Sequence, residues 1–141
     1  MSSASGAEDS VGLPAATAVY VLYRTTSLDL TWIPDDVEVI VVHNDDRETL
    51  VVGSHRVRHI RSTTNLGFGV GVNRAAAQSS GQRLVLVNPD TQLASHHWSA
   101  LARGSVDEVV AVPLVAPDGI ATSVVSRYPT PLSLALTAWR V

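Results

Sequence analysis

The chain has 141 residues, enough for one domain that buries roughly two thirds of the surface exposed when unfolded. Its formal net charge of −3, from 10 basic and 13 acidic residues, argues against a nucleic-acid binder, which normally carries a basic face. The absence of cysteine excludes disulfides and thiolate metal sites, and no apolar run reaches the roughly 18 residues of a membrane helix.

Residues 1–17 are small and polar, with acids at Glu8 and Asp9. They lack the charged start and apolar core of a signal peptide and are expected to be a disordered tail ahead of one domain over 18–141. Ala18–Tyr23 (AVYVLY) reads as the first strand. The connection Arg24–Asp36 has room for only a very short helix. Val37–Val42 (VEVIVV) reads as the second strand and Val57–Arg61 as a short third. A helix is expected over residues 70–80, closed by Gly81. Leu84–Asn88 then reads as a buried central strand, an apolar run stopped by the turn Asn88-Pro89-Asp90. Ser95–Arg103 reads as a helix capped by Ser95, and Val109–Val112 as a further strand. Pro117-Asp118-Gly119 is a hairpin turn joining Leu114-Val115 to Thr122–Val125, and Pro131–Arg140 is a final helix. The alternation predicts an α/β fold, an open and mostly parallel sheet with flanking helices.

Chemistry concentrates at the expected carboxyl ends of the strands, where open α/β sheets bind ligands. Asp90 lies just beyond the central strand, where a single carboxylate can hold a divalent cation while a bound diphosphate supplies other oxygens. Asn-Pro-Asp-Thr is equally a good turn, and Asp a common helix cap. His43-Asn44-Asp45-Asp46 follows the second strand and should face the same edge; the bland reading is a polar turn before Glu48-Thr49-Leu50. The stretch Asn65-Leu-Gly-Phe-Gly-Val-Gly-Val-Asn73 places Gly67, Gly69 and Gly71 at alternate positions, which lets backbone approach a ligand. The following helix would point its amino end at an anion. It is not the dinucleotide fingerprint, because Val72 or Arg74 stands where the third glycine belongs. Asn65 and Asn73 could contact a ligand or simply satisfy loop backbone. His96-His97 is a poor metal site, since adjacent helical residues diverge.

Together, NLGFGVGVN, the small-residue helix and LVLVNPDTQL resemble the family 2 glycosyltransferases, and most closely their rhamnosyltransferase-like branch. The resemblance is specific over residues 65–93 and extends over residues 18 to about 130. It implies a GT-A fold of the nucleotide-diphospho-sugar transferase type. It also implies inverting transfer from a nucleotide-diphosphate sugar to a hydroxyl of a saccharide or lipid-linked acceptor, as in cell-wall polysaccharide synthesis, with Mg²⁺ or Mn²⁺ as Lewis acid at Asp90. By the same resemblance His43, Asn44, Asp46, Asn65, Gly67, Gly69, Gly71, Asn73 and Asn88 would line the nucleotide-sugar site. His43 departs from the family's usual acid, and Asp46 stands where a serine is usual.

Members of that family continue into an acceptor half with an acidic segment that carries the catalytic base. Nothing after Val109 resembles it; the one later acid is Asp118, in the hairpin turn, so the catalytic residue is unassigned and the domain reads as a truncated donor-binding half. Two alternatives stay open: a non-catalytic nucleotide-sugar-binding module working with a partner chain, and a nucleotidyltransferase. The latter is disfavoured because Arg24-Thr-Thr-Ser-Leu lacks the glycine-rich loop expected there. The expected location is cytoplasmic, with peripheral contact at the inner membrane face as an option. The apolar stripes of Pro131–Val141 predict self-association or a partner chain.

Overall fold

A computed structural model describes residues 15–53, 55–103 and 109–122. Residues 1–14 of the expected tail and the expected helix Pro131–Arg140, with its association surface, lie outside the described residues. Ala16 and Thr17, which the sequence reading put in the tail, are fully buried.

Four parallel strands form the central sheet, in the order β5-β3-β1-β6. They are β1 (Thr17–Leu22), β3 (Glu38–His43), β5 (Val57–Arg61) and β6 (Leu84–Leu86). Continuous β-branched and apolar runs in β1 and β3 give strands buried on both faces, as a parallel sheet requires. Their register pairs Val19 with Ile40 and Val21 with Val42 on one face, and Tyr20 with Val41 and Leu22 with His43 on the other.

Helix α1 (Phe68–Ala76) packs on the first face, where Val19, Ile40, Val42 and Ala75 form one core cluster with Val21 and Ile60 against it. Gly71 and Ala75, one turn apart, are the buried residues of α1. A Cβ at Gly71 would meet Val21 Cγ1 at 2.9 Å, so the helix lies close on β1 because this position is glycine. The helix starts at Phe68 rather than residue 70 and ends at Ala76 rather than 80. Gly67, with φ +81°, sets its start, and Gly69 and Gly71 are helical, not loop.

The chain leaves α1 through a polar staple at the amino end of the sheet. Glu38 Oε2 accepts from Thr17 Oγ1 at 2.7 Å and from the Ser80 amide at 2.8 Å. Arg58 lies 3.4 Å from Glu38 Oε1 and donates to the Gln78 carbonyl at 2.7 Å. Gly81 donates its amide to Thr17 Oγ1, and a Cβ there would fall 2.5 Å from the Ala16 carbonyl carbon. Partial burial works to raise the Glu38 pKa, but the hydrogen bonds from Ser80 and Thr17 and the Arg58 charge outweigh it and hold the carboxyl below its ordinary value.

Two short strands escape the sequence reading. β2 (Ser27–Asp29) pairs in parallel with β4 (Leu50–Val52) as a separate two-stranded sheet. The Arg24–Asp36 connection thus holds a strand, not a short helix. Three-residue strands with one buried side chain, Leu28 in β2, carry too little periodicity to be recognised. Helix α2 (Ser95–Arg103) has the expected bounds, with Ser95 as its first helical residue. Trp98 of α2 is buried and stacks on Trp32 at 5.8 Å between centroids.

The described residues 109–122 belong to a second unit. It contains the antiparallel hairpin β7 (Leu114–Val115) and β8 (Ala121–Thr122), turned through Pro117-Asp118-Gly119 as expected. Val109–Val112 is not a strand; it makes no ladder and Val109 is fully exposed.

Candidate functional site at the carboxyl edge of the sheet

Because all four strands run the same way, the segments after β1, β3 and β6 emerge at one edge of the sheet. After β1 stand Tyr23 and Arg24, after β3 Asn44 to Asp46, and after β6 Asn88 to Asp90.

Asn44 is 2 % exposed and donates from Nδ2 to the Gly67 carbonyl at 3.2 Å, while its backbone amide donates to the Leu22 carbonyl at 2.9 Å. One residue therefore links the ends of β1 and β3 to the amino end of α1. Asn44 Oδ1 is buried with no partner among the described residues. Asn65 Oδ1 accepts the Gly67 amide at 2.9 Å, a local turn that fixes the approach to the helix. No side chain caps α1, so the amides of Phe68, Gly69 and Val70 have no intrahelical acceptor and face the edge with the positive end of the helix dipole.

The segments after β1 and β3 are joined again by Asp45, whose Oδ2 accepts the Arg24 amide at 2.6 Å. Arg24 has φ +56°, a left-handed backbone held at this edge, and its guanidinium lies 5.2 Å from the Tyr23 ring centroid. Asp46 is exposed. The sequence reading named Asp45 only as part of the 43–46 cluster and did not single out Tyr23 and Arg24 at this edge; the signal available was their position directly after strand β1.

His43 is turned away from this group. It is 1 % exposed, and its Nε2 lies 2.9 Å from Nδ1 of His59 on β5. Burial comes first in lowering the His43 pKa, followed by the Arg61 and His59 charges, with Asp45 acting in the opposite sense. Gly71 faces β1, and Asn73 is on the exposed side of α1 beyond its first turn. Gly69 is open, with nothing within 4 Å of a Cβ built on it.

Asn88 and Asp90 are exposed beyond β6, in a turn closed by the Thr91 amide on the Asn88 carbonyl at 3.0 Å. No hydrogen bond or ion pair engages the Asp90 carboxylate among the described residues. That suits a single-carboxylate cation site completed by a ligand's oxygens. No group of three or more His, Asp or Glu among the described residues could hold a metal by protein ligands alone. The His96 and His97 rings lie 4.0 Å apart between centroids, tilted by 49°. No described helix is long and apolar enough to cross a membrane.

Comparison with curated proteins and with solved structures gave no match. The profile of one family, described as Glycosyl transferase family 2, matches residues 14–133, which takes in the sheet, α1 and the whole carboxyl edge. The chain belongs to glycosyl transferase family 2.

Proposed function

We propose that the carboxyl edge binds a nucleotide-diphosphate sugar and serves inverting glycosyl transfer to an acceptor hydroxyl, in the manner of the rhamnosyltransferase-like branch. The observation that carries this reading is the Asn44–Gly67 bond, which fixes the uncapped amino end of α1 beside the segments after β1 and β3. Anionic phosphates suit such a helix end. Asn44 and Asp46 stand beside it for the nucleoside, and Asn65, Gly67, Gly69 and Asn88 border the path between helix and Asp90. Tyr23 is 47 % exposed and offers a ring face, with Arg24 beside it as a cation for the diphosphate.

Asp90 would hold a divalent cation, which when bound supplies Lewis-acid stabilisation to the leaving diphosphate. The chain's own groups bind and orient the donor. We assign no catalytic base: Asp118 Oδ1 accepts the Ile120 amide at 3.0 Å inside the hairpin turn. That engagement favours, as a second reading, a donor-binding module that acts with a partner chain.

Calorimetry with uridine and thymidine diphosphates, with and without Mg²⁺ or Mn²⁺, tests the proposal. Wild type should bind more tightly with cation, and Asp90→Asn should lose most of that gain. Equal affinity with and without cation, for wild type and variant alike, would sink it.

A further inference from the structure

His43 closes β3 and Arg61 closes β5, the two being register partners. His59 sits two residues before Arg61, on the same face of the sheet, diagonal to His43. Their rings lie 5.2 Å apart, tilted by 32°, and the Nε2–Nδ1 separation is 2.9 Å. One proton between the two nitrogens makes this a hydrogen bond, with His43 or His59 as donor. Two protons cannot occupy the gap, because two N–H groups would then point at each other. The charged and titratable groups acting on His43 are His59 and Arg61 from β5 and Asp45 from the following loop.

We infer that the His43–His59 pair is a proton-operated latch that holds the carboxyl half of β5 against β3 at neutral pH and releases it on acidification. The first proton taken up goes to His59, the more exposed ring, which can then donate from Nδ1 to His43 Nε2. The second must go to His43. There Nδ1 is already buried without a partner, and Arg61 adds a like charge nearby. Uptake of that proton breaks the bond and separates the rings. The same end of β5 is also held by its ladder with β3, by Ile60 against the core and by the Ser62 amide on the His43 carbonyl at 2.9 Å, and from it the chain runs through Asn65 to the start of α1. Opening the latch thus loosens residues 59–65 and, through them, the helix end at the carboxyl edge.

The pH window follows from burial, which foremost lowers both histidine pKa values, with Arg61 adding to it. Unfolded histidines take up protons near 6.5, and the folded pair resists. The folded state then binds fewer protons, so the latch is fully engaged above that pH and weakens as pH falls below it. The Glu38 staple has a depressed carboxylate pKa and titrates lower, so pH 7.5 to 5.5 isolates the histidines.

Amide hydrogen exchange on the wild-type chain, corrected for intrinsic rates, is the test. Between pH 7.5 and 5.5 protection of residues 59–62 should fall by about tenfold or more, while β1 holds. His59→Gln keeps a neutral hydrogen-bonding side chain without titrating, and its protection should fall less steeply than the wild type's over the same range, since only His43 is left to take up a proton. Unchanged wild-type protection, or equal acid loosening in His59→Gln, overturns the inference. If that variant does not fold, ¹⁵N-histidine titration of the wild type decides. Coupled steps below the ordinary histidine range support the latch; independent titration of both rings near 6.5 overturns it.

Discussion

The side-chain amide of Asn44 reaches 23 residues along the chain to hold the Gly67 carbonyl at 3.2 Å, joining the end of β3 to the start of α1. Asn44 is almost wholly shielded from water, whereas Gly67 is exposed and its carbonyl also accepts the Gly71 amide at 3.2 Å, so losing the bond costs the link itself rather than leaving a carbonyl without a partner. Asn44→Ala should cost about 0.5–1.5 kcal/mol by urea denaturation. Asn44→Asp should cost at least as much above pH 6, because it sets a buried carboxylate against that carbonyl. If Asn44→Asp is as stable as wild type at neutral pH, the bond does not hold the edge together.

Glu38 makes the equivalent junction at the amino end, tying β1, β5 and the segment after α1 to β3. Its folded pKa is held down, so the carboxylate's contribution is complete above the unfolded value of 4.5 and is lost as pH falls through the folded value. Glu38→Gln should lower stability by about 1–2 kcal/mol at pH 7 and flatten the stability profile below pH 5. Denaturant midpoints measured from pH 3 to 7 check both effects. A mutant profile parallel to wild type would remove Glu38 from the account.

Much of this frame was legible because its main parts are local. The apolar runs in β1 and β3 read as buried strands and are so, whereas the buried central strand expected over Leu84–Asn88 is the shorter β6 at the end of the sheet's strand order, with Leu84 and Leu86 exposed. β2 and β4 were not legible, since each has three residues and gains its identity from pairing across 23 positions. Val109–Val112 has a strand's composition without a ladder partner among the described residues, and composition alone cannot supply one. The start of α1 was misplaced because glycines in sequence look like loop. Their separate reasons, φ at Gly67 and close packing at Gly71, are three-dimensional. The edge segments were legible from position, whereas the orientation of His43 depended on His59, which no spacing rule connects to it.

The glycines should separate by substitution to alanine. Gly81→Ala drives a Cβ into the backbone of Ala16 and Thr17, which cannot give, and should destabilise by about 3 kcal/mol or prevent folding. Gly71→Ala meets only the Val21 and Val42 methyl groups and should cost less, about 1–2 kcal/mol after helix propensity offsets part of the strain. Gly69→Ala meets nothing and sits inside a helix, so it should stabilise by up to about 1 kcal/mol. Thermal melts of the three variants rank them. A Gly69→Ala variant less stable than Gly71→Ala would contradict the placement of α1.

Arg24 combines a left-handed backbone with an exposed cation at the edge where the diphosphate is proposed to lie. An L side chain at φ +56° costs roughly 1–2 kcal/mol, which glycine would relieve. Glycine also adds freedom to the unfolded chain, worth about 0.4–1 kcal/mol in the opposite sense. Its backbone amide can still donate to Asp45, so the link between the β1 and β3 segments survives. Arg24→Gly should therefore leave stability within about 1 kcal/mol of wild type. Nucleotide affinity should nonetheless fall severalfold, and more for a diphosphate than for the nucleoside, because the guanidinium can meet phosphate charge but not an uncharged sugar. Arg24→Lys keeps the charge but not the planar fork, and should give an intermediate loss. Calorimetry with nucleoside and diphosphate on the three proteins resolves the pattern. An equal loss for both ligands would place Arg24 against the nucleoside, and no loss for either would place the diphosphate elsewhere on the edge.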